Sequence, residues 1–134
     1  MGEVHVKVRL SNAADVEYAE KGLLDPVTIR SCEVDALVDT GSTRSFISTS
    51  IADKLGLVAR LEAHGIMADG TRVKVGVTTG ILFEIEGREA IEDAYILGDQ
   101  VLIGQTTLQA TDLLVDCTNH KVIPRHAEGH IVRV

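Results

Sequence analysis

A short apolar run that ends in an acid and a tight turn constrains this chain more than any other feature. Residues 36–38 are apolar, as in a buried strand, and Asp39 follows them at once. Gly41 then permits a sharp turn and a close backbone approach, while Thr40 and Ser42 place a hydroxyl on either side of it. The run therefore predicts a strand that carries a carboxylate to its end and stops there.

The chemistry open to that carboxylate depends on whether it has a partner. Two carboxylates that share one proton can activate a water and protonate a product, because like charges at short distance cannot both ionise. The triplet Asp39-Thr40-Gly41 occurs once in the chain, so a second copy of the chain is the simplest source of the second acid. An acid and a glycine after a strand are also a common surface-turn signal. The rest of the chain has to decide between the two interpretations.

Later elements agree with the catalytic interpretation. Asp69-Gly70 is a hairpin signal, Leu102-Ile103-Gly104 is a second apolar run that ends in glycine, and residues 105–108 suit a short helix. With these elements in this order, the chain resembles the retropepsin-like aspartic proteases, the single-domain relatives of pepsin that include the retroviral enzymes. The resemblance covers residues 27–124. It is closest to the small bacterial and archaeal members, which share the pattern of residues 102–110.

The resemblance implies a role for each residue of the loop. Asp39 would be the catalytic acid, one per subunit. Thr40 would lock two active-site loops together by hydrogen bonds from its hydroxyl to backbone across a two-fold axis. Gly41 would let the backbone approach the carboxylate and the substrate, and Ser42 would support the acid by hydrogen bonding. Gly104 would lie where two chain segments cross beneath the loop.

The Asp69-Gly70 turn is assigned a second role by the same resemblance. It lies thirty residues beyond Asp39, where this family places the flap, a mobile hairpin that covers the substrate and excludes water. Met67, Asp69 and Gly70 would then lie near the substrate. An ordinary surface hairpin is the alternative that the residues alone allow.

Two departures concern the dimer contact. Retroviral members usually carry an arginine directly after the second glycine, and here the residue is Gln105. The acid that pairs with this arginine is also missing, since Thr43 and Arg44 occupy its region. The ion pair of the viral enzymes is therefore absent, and the dimer contact must be built differently.

Length and composition restrict the fold. The chain has 134 residues, of which 45% are hydrophobic and 3% aromatic, with no tryptophan. This length suits one domain, residues 1–134, whereas pepsin-type enzymes join two lobes in a longer chain. An aliphatic composition favours strands. The expected fold is mostly β, a single-lobe retropepsin-like acid-protease barrel with one or two short helices, active as a dimer.

Charge and hydropathy exclude several classes of function. The net charge of −7 leaves no basic patch for nucleic acid. No run of 18 apolar residues suggests a membrane span, and the first residues lack a signal-peptide pattern, so we expect a cytoplasmic protein. The mechanism expected here uses no metal or organic cofactor.

Cysteine and histidine spacing does not indicate a metal site. Cys32 and Cys117 are isolated in apolar surroundings, which predicts small buried side chains kept reduced rather than ligands or nucleophiles. His120, His126 and His130 fit no regular zinc pattern, so a solvent-exposed tail is the better interpretation.

Periodicity and turn signals give a coarse map of the elements. Strands are expected over 4–10, 27–38, 60–68, 71–78, 81–85, 90–97 and 113–116; a helix over 48–55, capped by Ser48 or Thr49 and stopped by Gly56; and a loop over 11–25.

The sequence thus predicts a homodimeric aspartic endopeptidase that acts on peptides or proteins, with a water held between Asp39 and its symmetry mate. A dimeric module of the same fold that clamps peptides without cutting them is the alternative. A monomer that pairs Asp39 with Asp116 is less favoured, because Asp116 lacks the glycine turn that follows Asp39.

Overall fold

The computed structural model describes residues 3–134, and over that range it is mostly β, as expected. The strands are β1 His5–Asn12, β2 Ser31–Val38, β3 Phe46–Ile47, β4 Ala59–Ile66, β5 Arg72–Thr78, β6 Ile81–Ile85, β7 Arg88–Glu92, β8 Tyr95–Ile96, β9 Leu102–Ile103, β10 Leu113–Asp116 and β11 Lys121–Pro124. The helices are α1 Ala13–Glu20, α2 Thr49–Lys54 and α3 Gln105–Ala110, with a 3₁₀ turn at Pro26–Thr28.

Nine of the described strands form one sheet in the order β4-β5-β8-β3-β9-β2-β1-β6-β7, and β10 and β11 form a separate pair. Most neighbours are antiparallel, but β2 runs parallel to β9, and β3 runs parallel to β8. Because β2 and β9 are parallel neighbours, the segments that follow them leave the sheet at the same edge. Those segments are the Asp39 loop and α3.

The core is aliphatic, as the composition predicts. In β1 the side chains alternate between solvent and core, so that Val6, Val8 and Leu10 are buried against Ile47, Phe83 and Ile103. Burial of each such side chain stabilises the fold by about 1.5–3 kcal/mol. The core thus fixes the sheet that carries the Asp39 loop. No helix among the described residues is long and apolar enough to cross a bilayer.

The prediction of a loop over residues 11–25 is wrong, because that segment contains α1. Asn12 caps the helix by accepting a hydrogen bond from the Asp15 backbone N–H, and its side-chain amide donates to the Leu55 carbonyl. The buried Asp15 carboxylate accepts from Nε and Nη2 of Arg30, and these bonds lower the pKa of Asp15. The sequence pattern did not indicate this helix, because the helix has no apolar stripe. It is stabilised instead by its N-cap and by an ion pair.

Two strand boundaries also need correction. The strand expected over 27–38 begins only at Ser31, because Asp25 caps the 3₁₀ turn that precedes it. The strand expected over 90–97 is two strands, since β7 pairs with β6 whereas β8 pairs with β3 and β5. The chain changes neighbours between Glu92 and Tyr95, and no local pattern marks that change.

Other expectations are confirmed. Ser48 caps α2 by accepting from the Ile51 backbone N–H, and β4 and β5 form the hairpin around Asp69-Gly70. Cys32 is buried, and that burial raises the pKa of its thiol. Cys117 is exposed, so the expectation of a buried side chain is wrong for that residue.

Candidate active site

The register of β2 against β9 positions Asp39. Leu37 and Val38 lie opposite Leu102 and Ile103. The Asp39 backbone N–H donates to the Ile103 carbonyl at 2.9 Å, which extends the pairing by one residue. The Asp39 side chain is half-buried, whereas Thr40 and Gly41 are exposed on the far side of the turn. The loop therefore presents its acid at the edge of a rigid sheet.

The turn wraps around the carboxylate. The Gly41 N–H donates to Asp39 Oδ1 at 3.0 Å, and the Ser42 N–H donates to the Asp39 carbonyl at 3.1 Å. A Cβ at position 41 would lie 3.2 Å from Asp39 Oδ1, so the close approach expected of Gly41 is present. The Ser42 hydroxyl, by contrast, donates to the Arg44 carbonyl at 2.6 Å. Within one chain the acid is held by backbone rather than by the Ser42 hydroxyl.

Gly104 lies directly beneath the loop, where two segments cross. A Cβ at this position would be 3.0 Å from the Ser42 carbonyl oxygen and closer still to the Arg44 carbonyl group. Backbone cannot move away as a flexible side chain can, so only glycine fits. The crossing that the sequence predicts at Gly104 agrees with this geometry.

The start of α3 is hydrogen-bonded to the same loop. The Gln105 and Thr106 backbone N–H groups donate to the Ser42 and Thr43 carbonyls, each at 2.9 Å. These two N–H groups open the helix and have no partner within it, and Gly104 provides no side-chain cap. The side-chain amide of Gln105 adds a bond of 2.6 Å to the Thr40 carbonyl. The Asp39 loop thus supplies the acceptors for the first N–H groups of α3, and these bonds hold the loop in turn.

A buried polar chain lies behind this junction. Its members are Gly104 N–H, Ser45 Oγ, Thr107 Oγ1 and Glu92 Oε1, joined by bonds of 3.0, 2.6 and 2.6 Å. Thr107 gives its one hydroxyl hydrogen to Glu92, so Ser45 must donate to Thr107. Ser45 is 1% exposed and Thr107 0% exposed. Sequence analysis missed all three side chains, because their contacts join residues far apart in the chain.

Strands β4 and β5 form the hairpin around Asp69-Gly70. Its role as a cover over the site stays a prediction. At its tip the Met67 N–H donates to the Thr71 carbonyl, the Gly70 N–H donates to the Met67 carbonyl, and Gly70 has φ +85°. Asp69 Oδ1 accepts from the Thr71 N–H at 2.9 Å, and its hydrogen bonds with Thr71 lower the pKa of Asp69. Among the described residues, no hydrogen bond joins this tip to the Asp39 loop.

An apolar cavity of about 150 Å³ lies between this hairpin and the β3–β8 pair. Phe46 and Tyr95 form one wall, with ring centroids 5.2 Å apart, and Met67 contributes from the hairpin. Arg44 lies over the Tyr95 ring at 6.0 Å and forms an ion pair with Asp93. The residue that stands in the region of the missing retroviral acid thus pairs within its own chain.

Most of the C-terminal segment is solvent-exposed, as expected, but two of its histidines are hydrogen-bonded to the rest of the chain. His126 bonds the buried Asp112 carboxylate through its backbone N–H and Nδ1, and His130 Nδ1 lies 2.8 Å from the Gln109 carbonyl. Burial would raise the pKa of Asp112, but hydrogen bonds from His126 and Arg88 outweigh it and lower the pKa. Residues 3–134 contain no cluster of three or more side chains suited to hold a metal.

This C-terminal segment also borders a cavity near the loop. The cavity has a volume of about 500 Å³ and is lined by α3, β10, the segment from Arg125 to Ile131, and Thr40. The segment therefore lies beside the Asp39 loop.

The carboxylate of Asp116, the other candidate acid, is hydrogen-bonded within a turn. Its Oδ1 accepts from the backbone N–H groups of Thr118 and Asn119, and its Oδ2 accepts from the Asn119 side chain at 2.8 Å. These bonds lower the pKa of Asp116. Its carboxylate shapes the turn between β10 and β11, and both its oxygens are engaged there.

The sheet, the Asp39 loop and the glycine crossing define a retropepsin-like fold. A family model described as aspartyl protease matches residues 26–107, which is more than half of the chain. The chain belongs to the aspartyl protease family. The match spans the Asp39 loop, the hairpin and Gly104 together.

Solved structures support the same fold. The crystal structure of the retroviral protease-like domain of Ddi1 from Leishmania major has a TM-score of 0.57 to this chain at 15% identity. The match covers 95% of this chain and 98% of that one. At this identity the likeness establishes the fold. Among curated proteins, no sequence match to the chain is found.

Proposed function

We propose that the chain is an aspartic endopeptidase in which two copies each supply Asp39 to one active site. The observation that carries the proposal is the Asp39 loop. A half-buried carboxylate is fixed by the Gly41 N–H and supported by the sheet edge, while Thr40 and Gly41 stay exposed beside it. The loop offers one carboxylate, and peptide hydrolysis by this chemistry needs two.

The second Asp39 would come from a second copy. Asp116 is a poor source, because both of its oxygens are engaged in the β10–β11 turn. In a two-fold arrangement the exposed Thr40 of each chain faces its counterpart, as an isologous contact requires. Its hydroxyl would then be available to bond the opposite loop.

Two identical carboxylates on a two-fold axis provide both an acid and a base. They cannot both ionise at short distance, so one proton is retained between them. The ionised carboxylate takes a proton from the attacking water, while the protonated one donates a hydrogen bond to the scissile carbonyl. The Gly41 N–H holds each carboxylate in place during this exchange.

The β4–β5 hairpin would act as the cover over an extended peptide. Among the described residues, the hydrogen bonds of its tip, with Met67, Asp69 and Gly70, stay within the hairpin, so the tip could move relative to the loop. The apolar cavity beneath it would accept a hydrophobic side chain. The same hairpin and cavity could clamp a peptide without cutting it, so a silent peptide-binding module is the second candidate.

The test is cleavage of a peptide library by the full chain from acidic to neutral pH. Asp39→Asn should abolish cleavage and leave the fold intact, because the amide cannot share or take the proton. Asp35→Asn is the matched control: Asp35 is exposed on the same strand, 3.7 Å from His5, and its loss should leave activity unchanged. Cleavage that survives in Asp39→Asn would exclude Asp39 as the catalyst.

A dilution series separates the remaining possibilities. Specific activity should fall as the dimer dissociates, and sedimentation measured at the same concentrations should show monomer. A monomer with full specific activity would contradict the shared site. Peptides that bind but are never cut, at any pH, would identify the binding module instead.

A further inference from the structure

One peptide unit joins Gln105 to the acid. The Thr40 carbonyl accepts a bond of 2.6 Å from Gln105 Nε2, and the Gly41 N–H donates a bond of 3.0 Å to Asp39 Oδ1. The Thr40 carbonyl and the Gly41 N–H belong to the same peptide group. That group is planar and trans, so its C=O and N–H point in opposite directions. Fixing the oxygen therefore fixes the direction in which the N–H points.

The bond at the oxygen also affects the strength of the bond at the nitrogen. A carbonyl that accepts a hydrogen bond polarises its peptide group, and the N–H of that group then becomes a stronger donor. Donation to a carboxylate favours its ionised form. The Gln105 amide is thus connected to the Asp39 carboxylate through one peptide group, although no hydrogen bond joins the two side chains among the described residues.

We propose that Gln105 is a positioning residue for Asp39, acting through the peptide group between Thr40 and Gly41. The inference rests on the proposed function for its catalytic consequence, but the hydrogen-bonded path exists within one chain. Gln105 occupies the position at which the viral enzymes usually carry an arginine, and here its neutral amide bonds the Thr40 carbonyl. The backbone bonds of Gln105 and Thr106 to Ser42 and Thr43 hold the rest of the loop.

The chain offers a matched control one helical turn further on. Gln109 is the same residue type on the same helix and borders the same cavity, but its side chain makes no hydrogen bond among the described residues. Gln105→Met keeps the side-chain length and removes the donor. Gln109→Met makes the same chemical change without touching the path.

The pH dependence of kcat/KM gives the first measurement. In Gln105→Met the acidic limb should move to higher pH, because the carboxylate loses part of one hydrogen bond. We expect kcat to fall about 3–10-fold with KM little changed, since orientation of the acid rather than substrate binding is affected. Gln109→Met should match the wild type. Gln105→Arg restores a donor and should return the limb to the wild-type position or below.

The pH titration of the Gly41 amide, followed by NMR, tests the inference without catalysis. Its chemical shift reports the bond to Asp39, and its midpoint should rise in Gln105→Met and not in Gln109→Met. An inactive wild type in which this difference persists would refute the proposed function and leave the path established. Equal midpoints in the wild type and Gln105→Met would overturn the inference, as would a purely proportional loss of activity at every pH.

Discussion

The Asp39 loop and the tip of the β4–β5 hairpin are both turns, yet they are held in opposite ways. The loop is hydrogen-bonded to residues 103–106 through five bonds that join distant parts of the chain. Within residues 3–134 the hydrogen bonds of the hairpin tip stay inside the hairpin, and β4 is an edge strand whose side chains are mostly exposed. The loop can therefore move only with the sheet, whereas the tip can open at little cost.

This difference matches the two tasks that hydrolysis of a peptide would require. A shared proton needs two carboxylates at fixed positions, because small displacements change their coupling. A cover needs to admit substrate and release product. If the chain hydrolyses peptides as proposed, the rigid loop suits the first task and the hairpin suits the second.

The most direct test of whether the loop is more constrained than the hairpin is to add one methyl group in each region. Gly104→Ala should destabilise the protein by about 2–4 kcal/mol, because the new Cβ would collide with the Arg44 carbonyl group. Gly65→Ala, in the hairpin, should change stability by less than about 0.5 kcal/mol, since its nearest contact is a Val73 methyl at 3.4 Å. Denaturant unfolding measures both. Similar losses would show that the loop is no more constrained than the hairpin.

A second change addresses the buried polar chain behind the loop. Thr107→Val keeps the shape but leaves Ser45 without an acceptor and Glu92 without a donor, at a cost of about 1–3 kcal/mol. Thr106→Val is the matched control on the same helix, because the Thr106 side chain makes no hydrogen bond among the described residues. Thermal unfolding of the two variants should differ clearly. If they unfold alike, the chain of hydrogen bonds does not support the loop.

The smallest expected effect is the response of the hairpin tip to low pH. The pKa of Asp69 is lowered from 3.8 by its hydrogen bonds with Thr71. A carboxyl group whose pKa is lowered in the folded state stabilises the fold at pH values above its ordinary pKa. That stabilisation is lost as the pH falls through the lowered pKa. The amide proton of Thr71 should therefore shift with a midpoint below 3.8, while the β4–β5 pairing persists. A midpoint above 3.8 would mean that the turn does not hold the Asp69 carboxylate.

The sequence revealed the parts of the site whose geometry depends on local residues. The approach of Gly41 to Asp39, the crossing at Gly104 and the hairpin at Asp69-Gly70 each follow from a glycine within a short pattern. The order of these three features along the chain is the basis of the resemblance to the aspartic proteases. These features were predictable because the neighbours along the chain already determine them.

The remaining contacts are set by tertiary structure. Ser45 meets Thr107 across 62 positions of sequence, and Gln105 meets Thr40 across 65. Neither contact leaves a periodic signal. α1 was missed for a related reason, since the partners that stabilise it are Arg30 and Leu55, well beyond its own span. The hydrogen bonds of His126 were not predicted either, because their partner, Asp112, precedes it by 14 residues.

The crossing beneath the loop has a consequence for how this chain can diverge. Three of the five bonds that join the loop to residues 103–106 run from main chain to main chain, so they do not depend on which side chains the loop carries. Among the hydrogen bonds of the described residues, the Asp39 side chain takes part in one, from the Gly41 N–H. Replacement of the acid would remove that bond and leave the crossing in place, so the architecture can outlast the acid.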